Sequence, residues 1–138
     1  MIRLIGVGSP FGADRLGWLA IDYLERCSLP GCELIKLDRP GSALLDYFRG
    51  ETELVLIDAV RLDDTPGGVA LFQPAELERL SCLTSSHGLG VAEAVSLAAQ
   101  LGELPAGLHV IGIQAGADLS RPPLLDGSAL ETLVRRLL

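Results

Sequence analysis

Apolar residues along the chain fall into two alternating kinds of pattern. Ile2–Val7 is a short apolar run closed by Gly8 and Pro10, and it predicts a buried strand. From Arg15 to Cys27, Leu16, Leu19, Ala20, Tyr23, Leu24 and Cys27 recur three or four residues apart, which predicts an amphipathic helix. Pro30-Gly31 closes that unit. Glu33–Leu37 then reads as a second strand and Ser42–Phe48 as a short helix stopped by Gly50. Glu53–Val60 (ELVLIDAV) carries an unbroken apolar stretch, the mark of a strand buried on both faces.

The turn-rich run Asp63-Asp64-Thr65-Pro66-Gly67-Gly68 leads within a few residues to Val69–Phe72. A connection this short permits only an antiparallel return, at a sheet edge. Pro74–Leu80 predicts a short helix and Leu89–Leu101 a longer, Ala-rich one. Gly107–Gln114 is a last strand. Ser128–Leu138 is a terminal helix with Asp126 or Ser128 as its cap. The resulting order, β-α-β-α-β-β-α-α-β-α, predicts an α/β domain over residues 1–138. The expected form is a three-layer α/β/α sandwich around a twisted, mostly parallel five-stranded sheet with one antiparallel edge strand.

Composition narrows the partners. The 138 residues are 49% hydrophobic but only 4% aromatic, so aliphatic side chains must fill the core. The formal net charge is −7, with 11 Lys+Arg and no basic stripe. Nucleic acid and anionic membrane surfaces are therefore poor partners. The apolar start is too short, and too soon broken by glycine, for a signal peptide. No apolar run reaches the ~20 residues of a membrane span. Cys27, Cys32 and Cys82 are odd in number and lack a CxxC spacing. They read as reduced thiols, and the expected location is cytoplasmic.

Ligands of open α/β sheets bind beyond the carboxyl ends of the strands. Four polar residues are expected there: Asp14 after the first strand, Asp38 at the end of the second, Asp58 near the end of the third, and His87 before the long helix. Each has a plainer role open to it. Asp14 stands where a helix N-cap would, Asp38 in a turn, and Asp58 as a hydrogen-bonded structural acid; His87 is one of only two histidines and could be a surface or capping residue. Taken together, two carboxylates and an imidazole form a mixed oxygen/nitrogen donor set suited to Ni²⁺, Zn²⁺, Fe²⁺ or Mn²⁺. Three protein ligands would leave coordination positions open. His109, between Leu108 and Val110, reads as structural.

Other chemistries fit less well. The run GVGSPFG misplaces the third glycine of a dinucleotide fingerprint, and Asp14 would set negative charge where a pyrophosphate sits. Neither a phosphate-binding GxxxxGK[ST] loop nor a GxSxG nucleophile elbow occurs. No protein nucleophile is evident.

Four segments in order, GVGSPFGADRLGWLAIDYL, KLDRPGSALLDYF, LVLIDAV and SSHGLGVAEAVSLAAQLGELP, resemble the hydrogenase maturation endopeptidase family. Ser9 stands where that family has Asn, and its acidic pair is Asp14-Arg15 here. The resemblance implies an endopeptidase acting on the nickel-loaded large-subunit precursor of a nickel–iron hydrogenase, from which it removes a short C-terminal extension. It implies Asp14, Asp58 and His87 as metal ligands, and Asp38 as an acid of the substrate cleft. Nickel would be presented by the substrate, and other divalent cations can occupy the same donors. Catalytic residues are not defined by it. Two alternative readings are a non-cleaving nickel-binding docking module or metallochaperone, left open by Ser9 and Arg15, and a small nucleotide-binding domain.

Overall fold

A computed structural model describes residues 2–38, 42–49, 53–61, 65–73, 76, 91–118 and 120–138. The strands are β1 (Ile2–Gly8), β2 (Cys32–Asp38), β3 (Glu53–Val60), β4 (Val69–Phe72) and β5 (Gly107–Gln114). The α-helices are α1 (Leu16–Arg26), α2 (Ser42–Phe48), α3 (Val91–Leu101) and α4 (Gly127–Leu137). A 3₁₀ turn, Gly12–Arg15, leads directly into α1. The helix expected over 74–80 lies outside the described residues, apart from Glu76.

The five strands form one sheet in the order β2-β1-β3-β5-β4. β1, β2, β3 and β5 run parallel; β4 returns antiparallel along β5, pairing Val69 with Ile113 and Phe72 with Val110. The architecture is therefore the expected mixed five-stranded sheet with one antiparallel edge, and helices cover both faces.

Strand pleating divides the core in two. On one face Ile5, Val7, Leu54, Leu56, Leu108 and Val110 pack against Leu44 and Phe48 of α2 and Val91, Val95 and Ala98 of α3. On the other, Leu4, Val55, Ile57, Ile111 and Ile113 meet Leu16, Ile21 and Leu24 of α1 and Leu130 and Val134 of α4. The apolar run of β3 is thus split between both cores, since successive side chains point to opposite faces. Burying each of these large aliphatic side chains is worth about 1.5–3 kcal/mol.

The helix ends differ in how they are capped. Asp126 caps α4, its Oδ1 accepting from Ala129 N–H at 3.1 Å. The cap position of α1 falls on Arg15 and carries no side-chain cap bond. Asp14 sits one residue earlier, inside the 3₁₀ turn, so it is not the N-cap residue of α1.

Candidate functional site

In this strand order the chain leaves β1 in opposite directions to reach β2 and β3. The crevice where ligands bind in open α/β sheets lies at such a reversal, beyond the carboxyl ends of the strands. Asp14 follows β1 and Asp58 lies near the end of β3, and these two strands pair directly. The 3₁₀ turn carrying Asp14 also packs against β3. The turn carrying Asp14 and the strand carrying Asp58 are therefore neighbours at the switch point.

Glycines decide how closely they approach. A Cβ on Gly8 would lie 2.2 Å from the carbonyl oxygen of Asp14. One on Gly17 would lie 2.2 Å from the carbonyl of Val7 and 2.8 Å from that of Ile57. Real Cβ atoms do not come so close to backbone oxygen, so only glycine lets the Asp14 turn and the start of α1 settle onto the ends of β1 and β3. Ser9 N–H donates to the Asp14 carbonyl at 3.1 Å, and Asp14 N–H donates to the Phe11 carbonyl at 3.2 Å. Ser9 itself is buried, and its Oγ accepts from Phe11 N–H at 3.4 Å. The glycines after β1 thus serve backbone packing. The surface of Gly8 that a pyrophosphate would need is covered by Asp14, which removes the basis of the nucleotide reading.

Both acids are half-buried. Asp58 Oδ1 accepts from the N–H of Ala59 at 2.9 Å, which fixes one carboxylate oxygen at the strand end. Asp58 follows the alternation of Leu54 and Leu56, placing it on the α2/α3 face of the sheet. α3 lies on that same face and leads into the parallel strand β5, so it begins at the carboxyl end of the sheet. His87 precedes that helix and lies outside the described residues. Among the described residues no cluster of three His, Cys, Asp or Glu side chains forms a metal site. The donor chemistry present, two half-buried carboxylates, suits a hard divalent cation and leaves room for a third ligand from elsewhere.

Asp38 stands apart. It ends β2, opposite Gly8, and it is exposed. Its strand neighbour Lys36 pairs with Asp22 of α1, so Asp38 shares the pleat of the α1 face, opposite to Asp58. Trp18 is a contact no motif announced. Its Nε1–H donates to the carbonyl of Leu37 at 2.9 Å, tying α1 to the end of β2 beside Asp38. A lone, half-buried tryptophan on α1 was the only available signal, since an indole N–H in a partly buried place needs an acceptor. His109 lies near the amino end of β5, remote from the acids, consistent with a structural role.

Comparison with known proteins follows this geometry. Residues 22–120 match the family model described as hydrogenase maturation protease. That span holds Asp38, Asp58 and His87, while Asp14 precedes it. A curated relative, the hydrogenase expression/formation protein HupD of Thiocapsa roseopersicina, is 32% identical over 118 residues. The match takes in 82% of this chain and 53% of the relative, so the chain spans about half that protein's length. Among solved structures, the hydrogenase maturating endopeptidase HybD from E. coli superposes with a TM-score of 0.74 at 23% identity, covering 99% of this chain and 91% of that one. The [NiFe] hydrogenase maturation protease HycI from Thermococcus kodakarensis gives 0.67 at 21% identity, covering 99% and 88%. At these identities the structures establish a shared fold.

Proposed function

Because the chain belongs to the hydrogenase maturation protease family, we propose that it is an endopeptidase that recognises the nickel-loaded precursor of a nickel–iron hydrogenase large subunit and removes its C-terminal extension. The observation that supports this reading is the family match over residues 22–120, in a fold whose Asp14 turn packs against β3, the strand that carries Asp58.

Nickel in this reading belongs to the substrate. The carboxylates of Asp14 and Asp58, with His87 as the third donor, recognise the metal centre the precursor presents. Half-burial strengthens that recognition, because charge interactions gain as water is excluded. The Ala59 N–H donates to Oδ1 of Asp58 and fixes the carboxylate at the end of β3. Asp38, at the exposed end of the neighbouring strand, contacts the peptide that flanks the metal centre. Trp18 holds the backbone from which Asp38 projects.

The test is incubation with the nickel-loaded precursor, followed by intact-mass measurement. Wild-type protein should shorten the precursor by one discrete C-terminal fragment, and metal-free precursor should stay intact. A precursor that is bound by the wild-type protein and never shortened would replace this reading with that of a docking module.

A further inference from the structure

β4 is an edge strand of the sheet, and among the described residues nothing guards it. Gln114 of β5 donates its N–H to the Gly68 carbonyl and accepts from Gly67 N–H, both at 2.9 Å. Antiparallel ladders alternate, so Ala70 and Phe72 also face β5, while the N–H and C=O groups of Val69 and Leu71 point away from the sheet. Among the described residues nothing pairs with those outward groups. The edge is closed at its far end, where Gln73 N–H donates to Glu76 Oε1 at 2.9 Å and Glu76 N–H returns to the Gln73 carbonyl at 2.9 Å.

Soluble proteins usually protect such edges with charge or proline. The opposite edge strand, β2, carries Glu33, Lys36 and Asp38. β4 is Val-Ala-Leu-Phe, without either device. Beside it runs an open groove of about 420 Å³, lined by Val69 and by Asp126, Ser128, Thr132 and Arg136 of α4 and its cap. Ser128, Thr132 and Arg136 are four residues apart and share one side of the helix. The charges in the groove are unequal in commitment. Asp126 is engaged as the α4 cap. Arg135 is paired with Glu131 at 2.8 Å, whereas Arg136 forms no ion pair among the described residues.

We propose that the β4 edge and this groove bind an extended segment of the precursor as a sixth strand, with an acidic side chain of that segment meeting Arg136. The proposal rests on the endopeptidase reading and identifies how its substrate is held. Two outward-facing residues are too few to support a dimer of this chain, since stable interfaces bury upward of about 1,200 Å². They suffice as a secondary grip on a chain already engaged elsewhere. Continuity favours the substrate, because Val69 opposite Ile113 opens β4 at the carboxyl end of the sheet, where Asp58 also lies. In strand addition the main-chain bonds supply affinity and the side-chain pockets supply selection.

The test measures kcat and KM for shortening of the nickel-loaded precursor by wild type, Leu71→Pro and Arg136→Glu. Proline at 71 removes one outward donor and leaves the ladder to β5 intact. Arg136→Glu reverses an exposed charge, so it decides the matter alone if Leu71→Pro fails to fold. Each variant should raise KM roughly tenfold, the loss of one good hydrogen bond or ion contact, with kcat unchanged. The Arg136 effect should shrink as salt rises. Unchanged KM in a folded Arg136→Glu protein would overturn the proposal. If wild type binds the precursor without shortening it, the endopeptidase reading fails; the same variants compared by precursor affinity still uphold or overturn the edge site.

Discussion

The two ends of the sheet are assembled by different means. At the carboxyl end, backbone meets backbone: Gly8 and Gly17 let the Asp14 turn press against Val7 and Ile57, with no room for a single methyl group. At the amino end, side chains span wider gaps. Arg3 pairs with Glu33 at 3.2 Å across the starts of β1 and β2, and Arg49 reaches Glu103 at 3.5 Å between the ends of α2 and α3. Glycines at the amino end have empty space around them; Gly31 and Gly102 adopt φ of 68° and 69° with no atom near a would-be Cβ. The lesson is that the candidate site is placed by contacts that cannot give, whereas the opposite end is held by contacts that can.

The largest effect should come at the switch point. Asp58→Asn keeps the size of the side chain and the acceptor for Ala59 N–H, yet removes the negative charge. Precursor shortening should fall to background while the melting temperature stays near that of wild type; full retention of processing would remove Asp58 from the site. Next comes the glycine contrast. Gly17→Ala drives a Cβ against two backbone oxygens and should cost about 3 kcal/mol, the upper part of the range for overpacking. Gly31→Ala meets no atoms and bears only the left-handed backbone penalty, about 1 kcal/mol. Urea denaturation of both variants checks the ordering, and equal losses would break the comparison between the two ends.

Smaller effects follow at the amino end. Glu103→Gln releases Arg49, whose side chain is largely exposed, and should change stability by no more than about 0.5 kcal/mol. The thiols of Cys27 and Cys32 should make no pH-dependent change in stability near neutral pH. Burial pushes both above the usual 9.0, and Glu131 adds to the shift at Cys27. A raised folded value means that the folded chain holds its protons more tightly. Stability from these groups is thus fully present below pH 9 and declines as pH rises past it. Alkylation by iodoacetamide at pH 7 should be slow at both residues and accelerate only in alkali; rapid modification at pH 7 would contradict this.

Much of the architecture was legible in the pattern of the chain. The both-face burial of Leu54–Ile57 follows from an unbroken apolar run, and the antiparallel return of Val69–Phe72 from a connection too short for a crossover. The 3₁₀ turn at Gly12–Arg15 was not legible, because four residues carry no periodicity and the turn is shaped by what it rests on. That is also why Asp14 could be mistaken in the sequence for a helix cap. Asp126 could be read as one, since a local hydrogen bond to Ala129 three residues away is all the role requires.

What the sequence by itself determined are the properties that depend on neighbours along the chain: element type, the α4 cap, and the placement of Asp38 and Asp58 toward the ends of β2 and β3 and of Asp14 in the connection after β1. Tertiary structure alone decided which of these meet. Pairing of β1 with β3 set the Asp14 turn against the strand that carries Asp58, and the pleat of β2 turned Asp38 toward the face opposite to Asp58. The edge at β4 likewise exists only once five strands are ordered. Such relations join residues dozens of positions apart, and their energy lies in contacts that no local pattern encodes.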